Sequence, residues 1–243
     1  MKKFLPLAIA LCLVFFMPGH NFAQTVPLGT TSPFALFTAG GAFSNNGATI
    51  VTGDIGTDVG AFSGFPPGVV VGSIHVADMV TAQAALDVAS AYSYLGLITC
   101  GQVIGTTLGS GQTLTPDVYC LGAASTLNGE LILDGQCDPG AFFIFKIDGA
   151  LSTAVLSSVT LINGASLCNV YWQVNGAVAL GEGSTFRGTI VAGGAITLLE
   201  AASLEGRGLT TAGAIELHNN IVNNDMLPEA AVLTADGPLV ICI

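Results

Sequence analysis

The chain has 243 residues, 51% of them apolar and only 9% charged, with 16 Asp and Glu against 5 Lys and Arg. The apolar share excludes a disordered polar chain. The shortage of basic residues excludes a nucleic-acid binder, because no cationic surface exists to neutralise phosphates.

Lys2 and Lys3 precede an apolar run from Phe4 to Met17, then Pro18-Gly19 and a polar stretch ending at Ala23. This is the layout of a secretory signal peptide over residues 1–23. The run is short for a membrane span and no later stretch is long and apolar enough, so no span is expected in the mature chain. Beyond it lie Cys100, Cys120, Cys137, Cys168 and Cys242. They lack the close spacing of zinc sites, and an exported chain meets oxidising conditions, so disulfides are expected and a metal is not. The expected pairs are Cys100 with Cys120 and Cys137 with Cys168, with Cys242 left over.

One domain is expected over residues 24–227. Gly41-Ala42-Phe43-Ser44 opens it with a motif that returns later: glycine, alanine, a large apolar residue, then a mostly small one. The run Gly64-Phe65-Pro66-Pro67-Gly68, between Gly53 and Gly72, reads as a loop forming a cap or excursion at one end. Residues 77–96 read as a helix: the stretch from Ala77 to Leu95 is rich in Ala, free of Gly and Pro, and carries an apolar stripe at Ala84, Val88, Ala91 and Leu95. Asp78 stands in its first turn, where the macrodipole favours a carboxylate.

The motif recurs as Gly149-Ala150-Leu151-Ser152, Gly176-Ala177-Val178-Ala179, Gly194-Ala195-Ile196-Thr197 and Gly213-Ala214-Ile215-Glu216, with Gly122-Ala123-Ala124-Ser125 a degenerate relative. The last three glycines are 18 and 19 residues apart. Such self-similarity marks a repeat architecture. The flanking segments also alternate, among them Thr189-Ile190-Val191-Ala192 and Ser184-Thr185-Phe186-Arg187, so each period holds three short strands. The expected fold is mostly β: a parallel β-solenoid with three faces, coils of about 18 residues and one long helix alongside. Phe43, Leu151, Val178, Ile196 and Ile215 are expected to stack inside as one column, with Phe145, Trp172, Ile190 and Leu209 as a second. Lys146 and Gln173 are expected to protrude from one outer face, Arg187 and Glu205 from another. Residues 228–243 lie past the last repeat and read as a tail or a capping segment.

These residues carry a resemblance. Leu28-Gly29-Thr30, Thr52-Gly53-Asp54-Ile55-Gly56, Ala77-Asp78 before the helix, Leu114-Thr115-Pro116-Asp117-Val118-Tyr119 and Phe142-Phe143-Ile144-Phe145 follow one another in order. Leu161-Ile162-Asn163-Gly164-Ala165, Cys168-Asn169-Val170-Tyr171-Trp172-Gln173-Val174 and Gly206-Arg207-Gly208-Leu209 complete the series. In that order the chain resembles the microbial ice-binding protein family over nearly all of its mature length. The resemblance implies a discontinuous solenoid whose N-terminal strands close against the C-terminal coils, with a helix on one face and ice bound by another. It also implies a secreted protein, free or at the cell surface, whose partner is the ice crystal surface.

If the third residue of each motif points inward, its neighbours point outward. The expected ice-binding face is therefore Ala42, Ser44, Ala150, Ser152, Ala177, Ala179, Ala195, Thr197 and Ala214. Glu216 breaks this pattern and is expected to mark the end of the usable face. A secreted adhesin-like solenoid that binds a macromolecule or surface is the competing reading, since a weakly apolar plane contacts something. Catalysis is not expected, and neither is a cofactor. The mature chain has three basic residues and two histidines, His75 and His218, read as solvated or capping residues, and Asp54, Asp58, Asp134 and Asp138 lack calcium-loop spacing. A monomer is expected.

Overall fold

The computed structural model describes residues 26–225 apart from Pro139. The expected signal peptide, Cys242 and the segment 228–243 lie outside the described residues. The described chain is a three-sided parallel β-solenoid built from a 15-stranded and an 8-stranded sheet. The larger sheet covers two sides. Its two eight-residue strands, Thr185–Ala192 and Ser203–Thr210, run through Gly188 and Gly206 at positive φ and pair with one side before the bend and the other after it.

Stack order differs from chain order. Phe43–Asn46 lies against Ile215–His218, and Phe62–Ser63 lies beyond it, so the N-terminal coils extend the solenoid past its C-terminal one. The run Gly64 to Gly68, expected as a loop at one end, lies in the terminal coil. That coil contributes strands Phe62–Ser63 and Val69–Val71, and Gly64 to Gly68 is the turn between them.

The first inner column forms as expected: Phe43, Leu151, Val178, Ile196 and Ile215 are all buried and in register. In the second, Tyr119 and Phe145 stack at 5.4 Å, and Phe145 and Trp172 at 3.9 Å with rings 10° apart. Ile190 continues the column, but Leu209 does not, because Ile190 is level with Gly208. Leu36, also level with Gly208, fills that gap; a Cβ on Gly208 would stand 2.8 Å from its Cδ2. Leu209 instead faces outward beneath the helix.

The helix spans Met79–Leu97, and Asp78 caps it rather than lying within its first turn. Asp78 Oδ1 accepts from the amides of Val80 and Thr81 at 2.9 Å, while Thr81 Oγ1 accepts from the Asp78 amide at 2.9 Å. Ala84, Val88, Ala91 and Leu95 are fully buried against Phe34, Phe37, Val118, Ile144, Tyr171, Val191 and Leu209. Each large aliphatic or aromatic side chain so covered contributes about 1.5–3 kcal/mol.

Lys146 does not protrude. Its Nζ donates to the carbonyls of Gly96 at 2.8 Å and Ile98 at 2.6 Å, closing the C-terminal end of the helix, and burial lowers its pKa. Gln173, level with it, is buried. On the third side Arg187 Nε pairs with Glu205 at 2.6 Å.

Cys100 and Cys120 form a disulfide. The pairing of Cys137 with Cys168 is not made: Cys137 is free and exposed, and Cys168 belongs to a different disulfide. The reason is register. The amide of Cys137 donates to Asn163 O at 2.8 Å, so the turn after Glu130–Asp134 stacks on Asn163 and Gly164, several residues short of Cys168.

Candidate functional site

The motif glycines make tight corners. A Cβ on Gly176 or Gly194 would stand 2.8 Å from the backbone nitrogen of Ala150 or Ala177 in the adjoining coil, so only glycine lets the coils close up there. Buried threonines fix the same corner. Thr57, Thr38 and Thr210, level with one another, donate their hydroxyls to Gly41 O at 2.8 Å, Gly213 O at 2.7 Å and Gly194 O at 2.6 Å. Each such bond to a carbonyl one coil away is worth about 1 kcal/mol net.

Beyond the corner the chain enters the eight-stranded sheet, and the alanines line up. The carbonyls of Ala61, Ala42, Ala214, Ala195, Ala177 and Ala150 accept, in stack order, from Phe43, Ile215, Ile196, Val178, Leu151 and Ser125 at 2.8–2.9 Å. They form one outward rank that Ala124 continues. Two residues along each strand a second rank runs Ser63, Ser44, Glu216, Thr197, Ala179, Ser152, Thr126 and Thr107. All nine residues expected at a binding face lie in these two ranks, and the helix packs on a different side.

Five members were not anticipated: Ala61, Ser63, Ala124, Thr126 and Thr107. Gly60-Ala61-Phe62-Ser63 repeats Gly41-Ala42-Phe43-Ser44 residue for residue, 19 positions on, and that identity was the available signal. The degenerate copy is displaced by one: Ser125 is level with Leu151, so Ala124 and Thr126 are the outward pair. Thr107 carries no such signal, since it is recognised only by standing level with Thr126.

Glu216 does not mark the end of the sheet. It stands between Thr197 and Ser44, because the N-terminal strands stack beyond it. It is the only charged residue in the eight strands, with His218 beside it at 3.6 Å. The other histidine, His75, places Nδ1 2.9 Å from Asp78 Oδ2 at the start of the helix. Among the described residues no three His, Cys, Asp or Glu side chains converge on a common point. Asp134 and Asp138 accept the backbone amides of Gln136 and Gly140 in turns, and Asp54 accepts that of Ser73 in the adjoining coil.

Residues 37–223 match the Ice-binding-like family model, and the chain belongs to that family. It is 38% identical over 223 residues to an ice-binding protein of Nostoc sp., covering 89% of this chain and 82% of that one. The crystal structure of an ice-binding protein from the Antarctic ascomycete Antarctomyces psychrotrophicus superposes with a TM-score of 0.80 at 32% identity, covering 83% of this chain and 99% of that one. An ice-binding protein from an Antarctic biological consortium gives 0.79 at 34% identity, over 82% and 91%.

Proposed function

We propose that this chain is a secreted, monomeric ice-binding protein that adsorbs to ice through the bare eight-stranded sheet. The small side chains that this sheet offers are Ala42, Ser44, Ala150, Ser152, Ala177, Ala179, Ala195, Thr197 and Ala214, joined by Ala61, Ser63, Ala124, Thr126 and Thr107. The observation that carries this reading is the double rank itself: small side chains, strand after strand in register, on a side that no other element among the described residues covers.

Parallel strands repeat at about 4.8 Å, and successive outward residues at about 6.6 Å, so the ranks form a regular grid of methyl and hydroxyl groups. Methyl groups confine water without binding it, and hydroxyls anchor it. Water so arranged joins an ice surface with little further ordering, because the ladder and the threonine-braced corners already hold the grid rigid. Many weak contacts then act together, and no single one has to be strong. Adsorbed protein makes the ice front bulge between bound molecules, which stops its growth.

Export is supported by the leader-like segment 1–23, and the Cys100–Cys120 disulfide suits an oxidising space. The groove of about 540 Å³ near the helix end is lined by Lys146, Asp148, Gln173 and Asn175, whose polar groups are engaged with helix carbonyls or with one another.

The test is thermal hysteresis and recrystallisation inhibition by the purified mature chain. Activity is expected in the parent and abolished in Ala195→Tyr and Thr197→Tyr, with the melting temperature nearly unchanged. Full activity in both variants would overturn the assigned face.

A further inference from the structure

The carboxylate in the second rank has an unusual position. Glu216 is the sixth of eight residues counted from Thr107, with five small neighbours on one side and only Ser44 and Ser63 on the other. Its side chain is 54% exposed. Oε1 lies 3.6 Å from Nε2 of His218, two residues along the same strand and level with Asn46. The pair therefore lies along its strand, across the stack of coils, and forms a polar bar over an otherwise small-residue plane.

Such a bar opposes adsorption twice over. It stands above the methyl surface, so a flat lattice cannot touch both sides of it at once. A carboxylate also holds its hydration water in its own geometry, and removing that water is costly unless a partner replaces it. An advancing ice layer offers no such partner.

We propose that Glu216, with His218, divides the sheet into two unequal parts and thereby limits the area that meets ice to the five strands from Thr107–Gly109 to Ile196–Leu198. This rests on the adsorption reading above. Glu216 is then a residue that sets the extent of the binding surface and hence the strength of activity. Strands Phe43–Asn46 and Phe62–Ser63 carry the same motif but stand beyond the bar, where they contribute little. Because adsorption is multivalent, joining the two parts is worth more than the added area alone.

The experiment compares thermal hysteresis of the mature parent with Glu216→Thr at equal concentration, with melting temperatures checking the fold. Glu216→Thr is expected to raise hysteresis by about twofold or more. Glu130→Thr removes the same charge from a different side and is expected to change nothing. Ser44→Tyr is expected to cost Glu216→Thr a larger factor than it costs the parent, because only the joined surface uses that strand fully.

The outcomes separate the two ideas. Loss of activity in Ala195→Tyr with no gain in Glu216→Thr keeps the adsorbing face and overturns the division. Activity that survives Ala195→Tyr overturns the face itself. An inactive parent with an active Glu216→Thr supports both, and inactivity of both proteins overturns both.

Discussion

The helix-covered side and the bare side are made by the same turns of chain, yet they meet the surroundings differently. In one coil, Thr189–Ala192 runs beneath the helix and Ile196–Leu198 lies on the open sheet. Both strands send a large apolar residue inward, Ile190 from one and Ile196 from the other, and both are buried. What separates them is the outward residue. Val191 is level with Leu209, which is level with Phe37, and together they make a ridge that the stripe Ala84, Val88, Ala91 and Leu95 covers. Thr197 is flanked by Ala179 and Glu216, too small or too polar to attract a covering element. The size of one outward side chain per coil thus decides whether a solenoid side becomes core or remains surface.

That contrast is tested most severely by exchanging consequences between the two sides. Leu209→Ala leaves a void beneath the helix and is expected to cost about 2–5 kcal/mol in chemical denaturation. Thermal hysteresis per folded molecule is expected to stay at the parent level. Ala195→Tyr is the mirror case, with an effect on stability within about 0.5 kcal/mol, as for an ordinary surface change, and loss of activity. If Leu209→Ala lost activity in proportion to stability, the two sides would not be independent.

A smaller effect is expected at the corner between them. Thr210 Oγ1 donates to Gly194 O at 2.6 Å and accepts from the Ala212 amide at 3.1 Å. Thr210→Val keeps the shape but leaves those backbone groups without that hydroxyl, at a cost of about 1–3 kcal/mol. Since the bond braces the motif glycine just ahead of Ala195, hysteresis is expected to fall in part. A loss as complete as that of Ala195→Tyr would mean that the corner itself contacts ice.

The motif was readable in the sequence because a stacked corner tolerates only glycine and a half-buried strand demands alternation, and both are local requirements. The helix was readable for a similar reason, since its stripe repeats at helical spacing. The order of stacking was not. Nothing near Phe43 or Ile215 specifies that they pair across 172 positions, as that choice is made by the whole solenoid closing its open end. Hence the copy of the motif that carries Glu216, last in the chain, has two more copies stacked beyond it. Gly60-Ala61-Phe62-Ser63 was obscured by the adjacent Pro-Gly turn. Leu209 was misassigned because Gly208, lacking a side chain, gives no sign of holding the inward position.

The helix side also carries a carboxylate that ties two segments together. Partial burial pushes the Asp87 carboxyl up, but the hydroxyl and amide of Thr30, each 2.7 Å from Oδ2, and the Gln83 amide outweigh it and hold its pKa below the ordinary 3.8. Thr30 precedes the first strand of the helix side, so the carboxylate ties the N-terminal segment to the helix. A group whose folded pKa is depressed stabilises the fold above its unfolded value and loses that contribution as pH falls through the folded one. Acidification from pH 3.8 downward is therefore expected to loosen this contact, by a fraction of a kcal/mol after solvent screening. Amide exchange at Thr30 should quicken across that range in the parent. In Asp87→Asn exchange should already be fast at neutral pH and respond less to acid, because the charged acceptor is gone. A parent whose Thr30 amide exchanges with the same protection above and below the transition would show that the N-terminal segment is held by the apolar seat of Val26 and Leu28 instead.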